Sequence, residues 1–302
     1  MSNLDSIVNA SDKAIDKASG LFSWLNQPKE EARTHLIELI KEDKNLTPNE
    51  RVALIYNSRK LAREYANANS VYDQAKQQFN ARADEVEIDE DWLQFFFDRA
   101  EKVSNKSMQI VWSSLLAGEY NKPGSISRKL MHIISVMDVH SAKSFQTFCL
   151  YIFERKGRFT SSYNTDAAII PIGFHVDSFD FMRKAEKWLC DAGYEDYGEL
   201  AIELTMSNGE LNDLENLGLI QQVQEGMCGI TLVYYLENNE VVYIKPEENS
   251  EIPLGQYSLT HEGQQLHRII SNFGNEAVLK ILEQYLLSLD IRFTMEKYIG
   301  SR

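Results

Sequence analysis

The chain has 302 residues, 43% hydrophobic and 25% charged, a composition typical of soluble globular proteins with one large or two ordinary domains. A formal net charge of −14 and a pI near 5.0 argue against a protein that coats nucleic acid or an anionic membrane. Cys149, Cys190 and Cys228 are widely spaced in apolar contexts, which favours reduced, buried thiols and a cytoplasmic location. No secretory signal and no apolar run long enough to span a bilayer is visible.

The negative charge is concentrated toward one end of the chain. Residues 188–302 contain 6 Lys and Arg against 19 Asp and Glu, a net of −13, whereas residues 1–187 have a net of −1. No Lys or Arg occurs between Lys187 and Lys245. Because Lys and Arg contacts with phosphate supply most non-specific DNA affinity, this stretch lacks the chemistry of a DNA reader.

Residues 4–25 have the spacing of an amphipathic helix. Packing on the rest of the chain, self-association and peripheral membrane contact are three interpretations of this helix. The mixed charges of its polar face disfavour membrane contact, since membrane-surface helices carry a basic polar face. Its apolar stripe consists of Leu4, Ile7, Val8, Ile15, Ala18, Phe22 and Leu25.

Two long helices are predicted next, because a long stretch lacks Gly and, after Pro48, also lacks Pro. The first runs from Pro48 to about Val86 and begins at a capping box, Thr47–Glu50. The second runs from Trp92 to about Tyr120 and is capped by Asp89 or Asp91. Two such helices joined by a short turn form an antiparallel hairpin.

A turn at Pro123–Ser125 leads to two shorter helices. The first is capped by Ser125 or Ser127 and ends near Met137, and the second follows Asp138 and extends through Phe153.

The segment Glu154–Ser162 is predicted to be a polar, basic loop. Arg155, Lys156 and Arg158 form the densest basic cluster of the chain. They are candidate contacts for phosphate or RNA, and the alternative is an ordinary solvated loop.

The C-terminal region is predicted to mix strands and helices. A turn at residues 237–239 separates two of the strands. The predicted strands or buried connections are Ala167–Gly173, Leu219–Gln222, Cys228–Leu236, Val241–Lys245 and Tyr257–Thr260, and the predicted helices are Phe179–Ala192, Ser207–Gly218, Thr260 to about Asn272, and Glu276–Leu289.

This order predicts a winged-helix-like module. The helix from Ser207 ends at Gly218, a wing begins at Leu219–Ile220, and the chain returns through Tyr257–Leu259 into a capped helix. The exposed face of the first helix would carry the carboxylates of Glu210, Asp213 and Glu215, which repel phosphate. We therefore expect this module to contact proteins or to dimerise rather than to bind nucleic acid.

The segment Trp92–Phe145 resembles a bacterial family of unknown function through the pattern W-x3-F…MQ-x2-W-x2-LLAGE-x3-PGS-x-S. It is also distantly similar to the abortive-infection alpha proteins, through its Trp-x-x-Leu-Leu-Ala helix and the later Leu217–Ile220 and Leu259–Gly263. The sequence at Ser135–Asp138 departs from the Leu-Ser-x-x-Asp-Ala pattern of those proteins. The resemblance implies an association with phage defence or prophage-borne genes and no established catalysis. The matching residues are Trp92, Phe96, Ala100, Ser104, Met108, Gln109, Trp112, Leu115, Leu116, Ala117, Gly118, Glu119, Pro123, Gly124, Ser125, Ser127 and Leu130.

The residues around the Pro-Gly-Ser turn have two possible roles. Trp112, Glu119, Arg128 and Lys129 are candidate interaction residues, with an ion pair or a partner contact beside the turn. The alternative is that this corner only defines the fold.

Catalytic motifs are missing from the sequence. It contains no phosphate-binding loop, no dinucleotide fingerprint, no H-E-x-x-H and no G-x-S-x-G, and no cysteine pair has zinc spacing. No catalytic residue, cofactor or metal ligand is therefore predicted.

Together these patterns predict a mainly α protein with a C-terminal α+β part. A helical domain with the long hairpin covers residues 1–155, and a winged-helix-like α+β domain with closing helices covers 156–302. The expected function is that of a non-enzymatic interaction protein of bacterial phage defence, acting through protein partners and homo-oligomers. The alternatives are a nucleic-acid-sensing or transcriptional regulator, and an effector enzyme without a recognisable local motif.

Overall fold

The computed structural model describes residues 37–80, 88–156, 178–223, 226–229, 231–236, 240–270 and 274–299. Over these residues the chain is mostly helical, with a small antiparallel sheet region toward the C terminus. The expected amphipathic helix at 4–25 and the expected strand at 167–173 lie outside the described residues. A short helical segment at 37–42 precedes the first long helix.

The chain divides into two compact units between Met131 and His132. Compact units of this kind need not coincide with independently folding domains. The expected division into residues 1–155 and 156–302 therefore stays a prediction.

The first unit is built on three described helices, where the sequence predicted two. Thr47 caps the first through the expected capping box, and the Asp89 carboxylate caps the second by accepting from the Trp92 N–H at 2.7 Å. The first helix ends at Lys76 rather than near Val86, because residues 77 and 78 form a turn. The three helices are α1 (Pro48–Lys76), α2 (Glu90–Ala100) and α3 (Lys106–Asn121).

The predicted second helix is interrupted after Ala100. Asn105 restarts it as α3 by accepting a hydrogen bond from the Met108 N–H at 3.1 Å. The Asn67 amide of α1 donates to the Glu101 carbonyl at 2.8 Å and to the Ser104 hydroxyl at 3.2 Å, which holds the interruption against α1. A local cap and a tertiary contact together outweigh the favourable helix propensity of this stretch.

Aromatic side chains form the core of the first unit. Phe96 lies at its centre, stacked on Trp92 with ring centroids 5.3 Å apart and edge-to-face with Trp112 at 5.2 Å. Val71 and Ala75 of α1 are fully buried in the same unit. A large share of the stability of the unit is expected from burial of these rings.

Seven further helices follow α3 in the described part of the chain. Ser127 caps the first of them, since its hydroxyl accepts from the Leu130 N–H at 3.1 Å, and Asp138 caps the next as expected. That next helix ends at Cys149, not at Phe153. The helices are α4 (Arg128–Val136), α5 (Val139–Cys149), α6 (Ser178–Asp191), α7 (Tyr197–Glu203), α8 (Asn208–Asn216), α9 (His261–Ile270) and α10 (Glu276–Ser288).

Eight strands are described in the second unit. The expected loop at 154–156 is a strand, and the expected strand at 228–236 is two shorter ones, while the predicted turn at 237–239 lies outside the described residues. The strands are β1 (Glu154–Lys156), β2 (Ile220–Gln222), β3 (Gly226–Cys228), β4 (Thr231–Tyr235), β5 (Glu240–Pro246), β6 (Ile252–Leu254), β7 (Tyr257–Leu259) and β8 (Phe293–Ile299).

Six of the strands form one interrupted antiparallel hairpin, and the other two extend its β4–β5 end into a wider sheet. β2 pairs with β7, β3 with β6 and β4 with β5, all antiparallel, so each later strand pairs with an earlier one in reverse order. β1 and β8 flank β4 and β5 to give a four-stranded sheet of order β1-β4-β5-β8. The pairing register changes between β4–β5 and β3–β6, around residues 247–251, where Asn249 has a φ of 65°.

Tyr234 links three elements of the second unit. Its hydroxyl donates to the Leu150 carbonyl at 2.5 Å and accepts from the Asn275 N–H at 2.8 Å. Its ring stacks on Phe153 at 4.3 Å, and a side chain at Gly274 would clash with it. This one side chain therefore joins the end of α5, the sheet and the start of α10.

The expectation of buried thiols holds for Cys149 but is wrong for Cys190. Ala185 and Leu189 lie on the buried face of α6. Cys190 follows Leu189 directly, and consecutive helical residues point in different directions, so its side chain is exposed.

Candidate functional site

The corner at the Pro-Gly-Ser turn is held together by a buried carboxylate. Glu119 is buried, and its two carboxylate oxygens accept from the N–H groups of Gly124 at 2.6 Å and Ile126 at 2.9 Å. Gly124 has a φ of 80°, a conformation that glycine adopts without strain. Burial raises the pKa of Glu119, although the backbone hydrogen bonds act in the opposite direction. The carboxylate is therefore turned into the unit and not toward a partner.

Tryptophan side chains tie this corner to the core. The Trp92 indole N–H donates to the Ile126 carbonyl at 2.8 Å. Trp112 is fully buried, and its indole nitrogen has no hydrogen-bond partner in the part of the chain that the structure describes. Trp112 thus packs in the core, where a partner protein does not reach it.

A polar cluster that the sequence analysis did not single out lies beside this core. Gln109 accepts from the Ser70 hydroxyl at 2.9 Å and the Lys106 ammonium at 3.1 Å. It donates to Asn67 at 3.2 Å and to the Val103 carbonyl at 2.8 Å. The sequence pointed to this cluster only in that Gln109 belongs to the motif shared with the bacterial family of unknown function. The cluster joins α1, α3 and the α2–α3 connection, so its role is structural.

An ion pair described at this corner joins Arg128 to Asp89, which was not among the candidate residues. Arg128 lies 3.0 Å from Asp89, the N-cap of α2, and both side chains are about half exposed. Lys129 is exposed. Of the four residues proposed here, Arg128 and Lys129 remain accessible at the surface.

α7 and α8 are consecutive helices, joined by residues 204–207. Leu211 and Leu214 are buried on the inner side of α8. Glu210 closes a capping box with Ser207 and accepts from the Ser144 hydroxyl of α5 at 3.0 Å. Although burial raises the pKa of Glu210, the hydrogen bonds from Ser207 and Ser144 outweigh it and lower that pKa. Glu210 is therefore an internal cap.

The outer face of α8 is exposed and polar. Asp213 is exposed and Glu215 is half-buried. No Lys or Arg belongs to this helix, and the nearest cations in the sequence are Lys187 and Lys245. The other exposed side chains of the face are Asn208, Asn212 and Asn216.

A hairpin follows α8, as the sequence analysis expected. Gly218, at a φ of 77°, ends the helix, and Leu219 donates its N–H to the Leu214 carbonyl at 3.0 Å. Ile220 then pairs with Leu259, and the Thr260 hydroxyl caps α9 by accepting from the Gly263 N–H at 3.0 Å.

Only part of the basic cluster lies within the described residues. Arg155 and Lys156 lie on the edge strand β1, whereas Arg158 lies outside the described residues. The expectation of a basic loop is therefore wrong for 154–156, because these residues pair with β4.

One cleft in the second unit is lined by acidic side chains. Its volume is about 680 Å³, and Glu247, Glu248, Glu251 and Lys245 supply its charged lining. Among the described residues, no group of three or more His, Cys, Asp or Glu side chains is arranged to hold a metal ion. Likewise, none of the described helices is both long and apolar enough to cross a membrane.

The described residues define a mostly helical protein with a small antiparallel sheet region toward the C terminus. A family model described as a protein of unknown function, DUF2806, matches residues 55–283, and the chain belongs to this family. No curated protein and no solved structure matches the chain.

Proposed function

We propose that this chain is a non-enzymatic interaction protein of bacterial phage defence, acting in the cytoplasm through protein contacts and self-assembly. The phage-defence part rests on the similarity to the abortive-infection alpha proteins. The part concerning protein contacts rests on the exposed face of α8.

We assign a winged-helix character to the unit formed by α7, α8, β2, β7 and α9. The tight turn between α7 and α8, the left-handed Gly218 and the antiparallel return of β7 to α9 support this assignment. In winged-helix proteins that bind DNA, the helix in the position of α8 enters the major groove.

The observation that carries the proposal is the chemistry of the α8 face. Its exposed side chains are amides and Asp213, and the helix contains no Lys or Arg. A groove-binding helix approaches a dense row of phosphates, where Lys and Arg supply the affinity. A face of this composition lacks what duplex DNA requires, and its Asn and Asp side chains can pair with the amides and cations of a protein surface.

A mobility-shift experiment with the full chain tests the choice between protein and DNA. At about 50 mM salt, where electrostatic DNA binding is strong, we expect no retarded duplex at micromolar protein. Light scattering on the same sample is expected to give a mass above the 34.7 kDa of one chain. A salt-dependent shift would favour the transcriptional regulator instead, and a strict monomer would contradict self-assembly.

Phage challenge tests the defence role. Bacteria that express the chain are expected to give fewer plaques than empty-vector cells with at least one phage of a broad panel. Asp213→Lys should remove this protection, whereas Glu247→Lys, an equal charge change at an exposed site away from α8, should not. Unchanged plaque counts across the panel would contradict the proposal.

A further inference from the structure

The N-terminal half of α1 extends beyond the helices that cover its C-terminal half. α1 has 29 residues and α3 has 16, which correspond to lengths of about 43 Å and 24 Å at 1.5 Å per residue. In the C-terminal half of α1, Asn67 accepts a hydrogen bond from Gln109 of α3 at 3.2 Å. Leu54 is 41% exposed and Leu61 is 65% exposed, so no described residue covers these apolar side chains fully.

One face of α1, here called the seam, is buried in the C-terminal half of the helix and exposed in its N-terminal half. Ala68, Tyr72 and Ala75 are buried, and they follow one another at steps of four and three residues. The same steps extended backward reach Leu61, Ser58 and Leu54. Alternating steps of three and four are the spacing by which helices pack against helices. The exposed part of the seam therefore matches a helical partner. The seam is Leu54, Ser58, Leu61, Tyr65, Ala68, Tyr72 and Ala75.

The exposed seam is symmetric about Ser58 in its apolar positions. Leu54 and Ile55 precede Ser58 by four and three residues, and Leu61 and Ala62 follow it by three and four. If two copies of α1 cross antiparallel with Ser58 on a two-fold axis, Leu54 of one copy faces Ala62 of the other, and Ile55 faces Leu61. Every one of these facing pairs is apolar. Self-complementarity of this kind is what an isologous interface requires.

The charges of this half of α1 permit the same arrangement. At 100° per residue, Arg59, Lys60 and Arg63 fall away from the seam. Arg51 lies three residues before Leu54 on the same side of the helix, but its guanidinium donates to the carbonyls of Asp43 at 2.7 Å and Leu46 at 3.3 Å. Two copies can therefore approach through this face without opposing their cations.

We propose that the chain forms a symmetric dimer in which the exposed seams of two α1 helices, one from each copy, pack against each other. This inference deepens the self-assembly part of the proposed function and rests on it. The facing residues 54–62 span about two and a half helical turns, less than a standard interface, so we expect a dissociation constant in the range of about 1 to 100 µM.

Sedimentation of the full chain over a concentration series tests the dimer. Wild-type protein should approach twice 34.7 kDa, and Leu54→Glu with Leu61→Glu should weaken dimerisation about 100-fold or more, since four carboxylates would then enter the seam. Val52→Glu with Tyr56→Glu is the matched control. Both positions are 67% exposed on the same helix but lie off the seam, so this variant should remain a dimer.

A disulfide tests the symmetry axis. Ser58→Cys in a Cys190→Ser background should give a reducible dimer on mild oxidation, whereas Cys190→Ser alone should not. Circular dichroism checks that all variants keep wild-type helix content.

The outcomes separate this inference from the function it rests on. If wild type assembles but the Leu54→Glu, Leu61→Glu variant keeps the same mass, the α1 seam is wrong and self-assembly stands. If wild type is monomeric throughout, both fail. In that case another occupant, such as the chain's own N-terminal segment or a different protein, covers the seam.

Discussion

Glu119 stabilises a turn from a buried position. Its carboxylate satisfies the N–H groups of Gly124 and Ile126, which lie at the start of the connection to α4. Burial nevertheless penalises the ionised form, which is why its pKa is raised. The same group therefore both organises the corner and makes its stability depend on pH.

We expect Glu119→Gln to lower the free energy of unfolding by about 1–3 kcal/mol, because the amide offers one acceptor oxygen for two donors. Urea unfolding measures the loss, and Asp73→Asn, an exposed change on α1, is the control with little expected effect. An unchanged midpoint would contradict the role of the carboxylate.

The pH dependence of this difference has a definite sign. A carboxyl whose pKa is raised above 4.5 on folding binds its proton more tightly when folded, so its contribution is lost as pH rises through the folded pKa. The stability of wild type relative to Glu119→Gln should therefore grow as the pH falls from 7 toward 4.5. Other groups titrate in both proteins and cancel in the comparison. A constant difference would contradict the raised pKa.

The buried Tyr234 hydroxyl allows a test of hydrogen-bond satisfaction. It donates to the Leu150 carbonyl and accepts from the Asn275 N–H. Each orphaned buried group costs about 1–3 kcal/mol, so Tyr234→Phe should lower the free energy of unfolding by at least about 1 kcal/mol. Urea unfolding measures the loss, with Tyr56→Phe at a 67% exposed position as the control, and an unchanged midpoint for Tyr234→Phe would contradict the role of the hydroxyl.

At the scale of elements, helix starts were predicted better than helix ends. The caps at Thr47, Asp138 and Thr260 are where the sequence placed them, because a cap depends on residues within one turn. The break at Asn105 was missed, because the stretch contains no Gly or Pro and the capping residue Asn105 was not recognised as a helix start.

Strands that depend on distant partners could not be predicted in the same way. β8 was not predicted because its pairing with β5 joins segments far apart in the chain, and much of it remains exposed. β1 carries the charged sequence Glu-Arg-Lys, which is typical of a loop, and its pairing with β4 overrides that preference. β2 and β7 were predicted because turn signals and Gly218 bracket them locally.

The junction of β2 and α9 gives a prediction at this scale. A Cβ at Gly263 would lie 1.9 Å from the Leu219 carbonyl oxygen, a backbone atom that cannot move alone. Gly263→Ala should therefore cost about 2 kcal/mol or more, by strain like that of an overpacked core. Gly198→Ala in α7 is the control, since nothing lies within 4 Å and alanine favours the helix, so stability should stay equal or rise. Thermal unfolding distinguishes the two, and equal melting temperatures would contradict the close packing.

The orientation of two candidate carboxylates could not be predicted from the sequence. Glu119 was a candidate interaction residue with a fold-defining corner as the alternative, Glu210 was expected on an exposed helix face, and each caps a neighbouring segment. Sequence identifies a carboxylate near a turn but does not distinguish an internal acceptor from a surface charge, because that depends on which face the tertiary contacts cover. The exposed position of Asp213 was predicted because Leu211 and Leu214 define the opposite face of a short helix.

At the scale of the whole molecule, charge is distributed unevenly along the chain. Residues 188–302 have a net charge of −13, and the described ion pairs on and beside them are exposed ones such as Lys187–Asp191 and Lys280–Glu283, which stabilise little. Like charges confined to one region destabilise its compact state by mutual repulsion. We expect the same repulsion to disfavour polyanions at the α8 face.

Salt should therefore stabilise the acidic region of the chain. The Debye length falls from about 20 Å at 20 mM to about 4 Å at 500 mM NaCl, which screens the repulsion more than it weakens the few surface pairs. Hydrogen exchange of amides in α8 and β5 should slow over this range by more than exchange of amides in α3, an internal control in a region of nearly balanced charge. If exchange in α8 and β5 instead accelerates, attraction between ion pairs outweighs repulsion there. The acidic face would then be internally paired, and the argument that it excludes DNA by charge would lose its basis.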